Sequence, residues 1–358
     1  MIASLSPAEA LSLVSDGLDD SVVGFVSGRP LLAIDLDQPF ADSVMQRLAQ
    51  LLAPVPVIVV GVASETVPAS PAVLELDILL TDSPSALRPW VHCPEGTSAR
   101  LKTLSSSIDR SPAAATALAQ LLRMGESMTA EEAIVAESFV YGLLQGNDDH
   151  RRWLAERGER TRKPRPTAAV VRVERDRETL VITLDRPEVR NAYGARMRDE
   201  LTEAFRLVDV DPTIKRTELR GDGPAFCSGG DLDEFGTASD PLAAHMIRTT
   251  RSAAVVMTRI ADRVTAFVHG TCVGAGVELP AFANEVIAHP DATFLLPEIS
   301  MGLVPGAGGT SSIPRRIGRH RTLLFALEQN PIDASTALGW GLIDRIDAAP
   351  FAIEGTLP

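Results

Sequence analysis

Two stretches decide how this chain reads: Gly270-Thr-Cys-Val-Gly-Ala-Gly-Val-Glu278 and Gly302-Leu-Val-Pro-Gly-Ala-Gly-Gly-Thr310. Between them a second acidic residue, Glu298, follows the apolar run Ala292-Thr-Phe-Leu-Leu-Pro297. With Gly221-Asp-Gly-Pro-Ala-Phe-Cys-Ser-Gly-Gly-Asp231 they make three glycine-rich turns. A dinucleotide turn needs G-x-G-x-x-G between strand and helix, and a phosphate loop needs Gly-Lys-Ser/Thr. None of the three turns has either. What remains is the exposure of backbone N–H groups, because glycine lets a main chain turn sharply and approach a ligand closely. Two such turns face to face hold an oxyanion.

Glu278 and Glu298 stand beside these turns inside apolar segments, where a carboxylate is costly unless it is paired or used. Each alone is explained by a helix start or an ion pair. Both together, next to N–H-rich turns, mark a candidate site.

Working outward, the surrounding chain reads as strand–helix units. Val170–Val173 and Leu180–Leu184 flank Glu174-Arg175-Asp176-Arg177 as a hairpin, and 195–208 has the period of an amphipathic helix. Upstream, the basic, proline-containing stretch Arg151–Pro166 reads as a connector, giving two regions, 1–165 and 166–358. The first opens with a capping box at Ser6–Glu9 and a helix stop at Gly17. Strand-like runs follow at Val22–Val26, Leu31–Leu36 and Val55–Val62, with a helix over Asp42–Leu52. From Ser111 the texture is helical. Thr129-Ala-Glu-Glu132 is a second capping box, and Ile134, Ser138 and Tyr141, with Val135, Phe139 and Leu143, give the stripes of an amphipathic helix. A further helix carries Trp153 and Leu154. Nothing in 1–165 concentrates chemistry.

The 358 residues carry 34 Lys+Arg against 47 Asp+Glu, a net charge of −13, which argues against a nucleic-acid partner. Hydrophobic residues at 45% supply real cores and exclude disorder. The three cysteines, Cys93, Cys227 and Cys272, form neither a disulfide framework nor a metal knuckle. With no signal-peptide pattern and no apolar run of about 18 residues, the expectation is a cytoplasmic protein with no membrane partner. No metal is expected. Arg315-Arg316 and Arg319-His320-Arg321 read as exposed groups at a helix start.

Residues 166–347 resemble the crotonase superfamily, the enoyl-CoA hydratase/isomerase group. The resemblance rests on Leu180-Val-Ile-Thr-Leu-Asp-Arg-Pro-Glu-Val-Arg-Asn-Ala192, Pro224-Ala-Phe-Cys-Ser-Gly-Gly-Asp-Leu232, His269–Leu279, Leu296–Thr310 and Ala334-Ser-Thr-Ala-Leu-Gly-Trp-Gly-Leu-Ile-Asp344. It implies an α/β fold with a crotonase-type ββα spiral core behind an N-terminal α/β plus helical region. It further implies an acyl-CoA thioester as substrate, an oxyanion hole from the N–H groups of Gly230 and Ala275, and catalytic carboxylates at Glu278 and Glu298. Arg190 and Ala192 fall where the family binds CoA. No separate cofactor is implied, since coenzyme A is part of the substrate. A homo-oligomer, commonly a trimer, is implied as partner state.

The expected reaction is hydration of a 2-enoyl-CoA. Isomerisation of an enoyl-CoA, hydrolysis of a hydroxyacyl-CoA, and a non-catalytic acyl-CoA-binding or scaffold role stay open, because one oxyanion hole serves many reactions. The family's C-terminal helices have little chain left for them after Asp344. Residues 105–160 are one candidate replacement, with 1–104 as a reduced α/β piece; an unrelated helical subdomain is the other.

Overall fold

Apolar runs separated by helical segments build a parallel sheet wherever each strand is buried on both faces, and the first half of the chain does this. A computed structural model describes residues 4–15, 24–25, 27–68, 70–158, 168–238 and 240–351. In the first half these form α1 (Pro7–Ser15), β1 (Leu31–Asp35), α2 (Asp42–Leu52), β2 (Ile58–Ala63), α3 (Pro71–Leu74), β3 (Ile78–Thr81) and β4 (Val91–His92). Helices α4 (Thr97–Arg110), α5 (Pro112–Gly125), α6 (Ala130–Gln145) and α7 (Asp148–Arg157) follow. The strands pair in the order β1-β2-β3-β4, all parallel. The expected strand at Val22–Val26 and helix stop at Gly17 lie largely outside the described residues, as does most of the connector after residue 158.

Alternation along these strands divides the core. Leu32, Ile34, Val59 and Leu79 face α1–α3, while Ala33, Ile58, Val60, Ile78 and Leu80 face α4 and α5. The second set is continuous with the apolar core of the second half. One core therefore runs through both.

The second half contains β5 (Val171–Asp176), β6 (Thr179–Leu184), α8 (Ala195–Val210), β7 (Arg216–Gly221), α9 (Pro241–Thr250), α10 (Ala253–Ile260), β8 (Val264–Val268) and β9 (Thr271–Val273). It continues with α11 (Ala275–Glu278), β10 (Glu285–Ala288), β11 (Thr293–Leu295), α12 (Gly309–Ile317), α13 (Arg319–Glu328), β12 (Ile332–Asp333), α14 (Ala334–Trp340) and β13 (Arg345–Ile346). Apart from the β5–β6 hairpin, the sheet β13-β10-β8-β7-β6-β5 is parallel. A smaller sheet, β12-β11-β9, is extended by a bridge between Cys227 and Cys272. Successive turns lay one strand in the large sheet, one in the small sheet and a helix outside: β8, β9, α11, then β10, β11, α12. This is the ββα spiral. Its small sheet brings the three glycine-rich turns to one side.

Buried polar groups tie the halves together. Asp77, 1% exposed, accepts from Arg123 at 2.7 Å and 2.5 Å and pairs with Arg319 at 3.5 Å. Arg319 also bonds Glu126 and the Leu74 carbonyl. The expectation that the cluster 319–321 is exposed is thus overturned: Arg319, His320 and Arg321 are buried, and Arg319 links β3 and α5 to α13. Removing one member of such a buried set costs about 3–5 kcal/mol. Among the described residues no helix is long and apolar enough to cross a membrane.

Candidate active site

The turn after β9 sets the first part of the site. Gly274 has φ +48°, and its N–H is held by the Leu295 carbonyl at 2.9 Å. A Cβ there would lie 2.5 Å from Glu298 Oε1, so glycine is what lets that carboxylate approach the turn. Ala275 begins α11, and a first helical residue has no intrahelical acceptor for its N–H. Gly230 lies in the facing turn, where Tyr193 N–H bonds the Gly229 carbonyl and Asp231 N–H bonds the Tyr193 carbonyl. These bonds bypass Gly230. The N–H groups of Gly230 and Ala275 therefore donate to no acceptor among the described residues, and both residues line a cavity of about 500 Å³.

Glu278 and Glu298 line the same cavity. Glu278 is 2% exposed, and its Oε2 accepts from Ala307 N–H at 2.7 Å and Gly309 N–H at 2.9 Å. Burial pushes its carboxyl up to about 7 against the pull of those two donors. Glu298 opens a short 3-10 turn after Pro297, and its Oε2 is buried without a partner among the described residues. Burial, then the charge of Glu278, holds its carboxyl well above the usual carboxylate range. The bonded acid is the one that ionises more readily.

A third carboxylate was not anticipated, and it comes from the first half. Glu137 on α6 is 2% exposed, accepts Gly308 N–H at 2.8 Å with Oε1, and accepts Thr310 N–H at 2.9 Å and Thr310 Oγ1 at 2.7 Å with Oε2. Burial, then the neighbouring Glu278, pushes it up to about 8. Four consecutive amides, 307 to 310, are thus shared alternately between Glu278 and Glu137. An added Cβ at Gly309 would lie 2.5 Å from Glu278 Cγ, so the loop seats on the carboxylate only as glycine.

The expectation that nothing in 1–165 carries chemistry is corrected here: Glu137, Ser138 and Tyr141 line the cavity. So, in part, is the reading of the α6 stripes. Val135, Phe139 and Leu143 are exposed, while Ala133, Ile134, Glu137, Ser138 and Leu144 face inward. The stripe Ile134, Ser138 and Tyr141 thus faces inward as read, with Glu137 in the same row, whereas the stripe Val135, Phe139 and Leu143 is the outward face. The capping box at Thr129 and Glu132 is present.

Arg190 and Ala192 do not line the cavity. Arg190 is exposed, has φ +52°, and its carbonyl accepts Ser228 N–H at 2.9 Å; Ala192 is buried. Cys227 and Cys272 are fully buried, and burial pushes the Cys227 thiol up to about 12 and Cys272 well above its ordinary value, which makes them inert packing groups. Among the described residues no group of three or more His, Cys, Asp or Glu is placed to hold a metal ion.

Residues 174–354 match the sequence model of the family described as enoyl-CoA hydratase/isomerase. The chain is 34% identical over 182 residues to the "Probable enoyl-CoA hydratase echA8" of Mycobacterium tuberculosis, covering 50% of this chain and 69% of that protein. It is 34% identical over 176 residues to the 1,2-epoxyphenylacetyl-CoA isomerase of Escherichia coli, covering 48% and 67%. A solved enoyl-CoA hydratase from Mycobacterium smegmatis shares 29% identity with a TM-score of 0.47, covering 51% of this chain and 71% of that one.

Proposed function

Because the chain belongs to the enoyl-CoA hydratase/isomerase family, whose members process acyl-CoA thioesters, we propose that its cavity adds water to a 2-enoyl-CoA. The observation that carries this reading is the convergence of two unused N–H groups and two unequal carboxyls on one cavity. The thioester oxygen sits between the N–H groups of Gly230 and Ala275. As water attacks Cβ, negative charge collects on that oxygen, and each donor contributes roughly 3–4 kcal/mol to the transition state.

Glu278 is the general base. Its Oε2 is held by the loop, and its Oε1, with no partner among the described residues, takes a proton from the attacking water. Glu298 is the general acid. Without donors on Oε2 it retains its proton and delivers it to Cα. One O–H bond of water breaks, the C–O bond forms at Cβ, and the C–H bond forms at Cα. Transfer of the gained proton from Glu278 back to Glu298 restores the pair.

Outside the cavity, Arg190 and Ala192 are assigned to CoA, the exposed Arg190 guanidinium to its phosphates. The reaction calls on no further cofactor. Glu137, with both oxygens bonded, holds the loop rather than touching substrate.

Incubation of the protein with a panel of acyl-CoAs, read by mass spectrometry, tests the assignment. Gain of one water by a 2-enoyl-CoA, lost in Glu298→Gln with acyl-CoA binding intact, is expected. An unchanged mass with shifted retention makes the enzyme an isomerase, and release of free CoA makes it a hydrolase.

A further inference from the structure

The wall of the cavity built by α6 and α9 differs from what a plain hydrocarbon tail would need. The chain has two tyrosines, Tyr141 and Tyr193, and both line the cavity. Neither hydroxyl has a hydrogen-bond partner among the described residues. Burial holds both phenols neutral, so each is a donor awaiting an acceptor.

Beside them stands Arg248 of α9, with its guanidinium carbon 4.9 Å from the centre of the Tyr141 ring. Its bonds go to neutral groups: Ser138 Oγ at 3.0 Å, the Ser138 carbonyl at 3.1 Å and Gln145 Oε1 at 3.5 Å. The other arginines of the wall share one carboxylate partner. Asp199 pairs with Arg198 at 2.6 Å and with Arg251 at 3.0 Å. Arg248 has no carboxylate in bonding contact among the described residues; Glu137, whose charge acts on it, is committed to the loop. A half-buried guanidinium that retains free N–H groups and faces a cavity is costly until an anion meets it.

We infer that this wall is a subsite for a carboxylate carried on the acyl group, so that the enzyme takes acyl-CoAs of acid-ended chains in preference to alkyl ones. The inference rests on the cavity being an acyl-CoA site. Arg248 and the Tyr141 hydroxyl are the specificity-determining groups, and the Tyr193 hydroxyl is a third donor on the same cavity. The planar fork of Arg248 suits a carboxylate held by two parallel bonds, with the Tyr141 ring as its floor.

Calorimetric binding of two unreactive thioesters of equal chain length, glutaryl-CoA and pentanoyl-CoA, tests this without turnover. The wild-type protein is expected to bind glutaryl-CoA about 10- to 100-fold more tightly. Arg248→Met abolishes that preference and leaves pentanoyl-CoA binding within about threefold of wild type. Tyr141→Phe, which keeps the ring beneath Arg248, lowers the preference about three- to tenfold, and provides the test should Arg248→Met fail to fold. Equal wild-type affinities, or a preference that survives both variants, overturn the subsite. If neither thioester binds, the reading of the cavity as an acyl-CoA site falls instead, and the subsite with it.

Discussion

Helices α6 and α11 reach the loop 305–310 from opposite sides, divide its amides between them, and use their carboxylates differently. Glu137 has donors on both oxygens. Glu278 takes two N–H bonds on Oε2 alone. The first is fully committed to structure; the second keeps one oxygen for a ligand. The same buried acid is thus a brace or a base according to how many of its lone pairs the protein occupies. Glu298, with none occupied on Oε2, completes the series, and in the proposed reaction it is the acid that holds its proton.

The largest effect should come from the open end of that series. Glu278→Gln and Glu298→Gln each lower hydration kcat by about 10²–10⁴-fold with acyl-CoA binding retained. The double variant, measured by single-turnover kinetics, is no worse than about tenfold below the weaker single one, because the two act as a unit. Next comes the loop itself. Gly309→Ala places a Cβ 2.5 Å from Glu278 Cγ, and should cost about 1–3 kcal/mol in chemical denaturation together with most of kcat.

Glu137→Gln separates brace from base. The Glu137 carboxyl, pushed up to about 8, is still protonated when that of Glu278, pushed up to about 7, ionises, so the substitution removes no charge there and the acid limb of kcat/KM should keep its pH while its height falls. A purely structural loss lowers the profile without moving it. Stability changes with a definite sign as well. Glu137 and Glu278 are raised in the folded protein to about 8 and about 7 from 4.5. Their contribution is therefore complete below the unfolded value and lost as pH rises through those values. Tm should fall between about pH 4.5 and about pH 8, less steeply in Glu137→Gln. The smallest effect is expected at the far end of α6. Thr129→Ala removes the capping box and lowers stability by about 0.5–2 kcal/mol with kcat nearly unchanged.

Much of this was legible before any coordinates. The helix expected over Asp42–Leu52 spans those residues, the hairpin at 171–184 forms, and the Thr129 capping box is made. Such features depend on neighbours a few positions apart, where periodicity and side-chain chemistry act directly. Glu278 and Glu298 were also marked, because an acid in an apolar segment beside glycines is conspicuous. Glu137 was not. It stands in a helix among other acids, Glu131 and Glu132, which are exposed, and only its register with Ala133, Ile134 and Leu144 separates it from them. Arg319 and His320 misled for the complementary reason: their partners Asp77, Glu126 and Leu74 lie far away in the chain.

The sequence by itself therefore determined the family and the strand–helix rhythm, and marked the glycine turns and acids of the second half that line the cavity, since those signals are local and contiguous. Tertiary structure alone decided that α6 lines the cavity, that Glu137 braces the loop from the first half, and that Arg248 faces the cavity with no carboxylate in bonding contact among the described residues. These depend on which donors, acceptors and charges meet across more than a hundred residues of chain, and burial assigns such partners only once the core has formed.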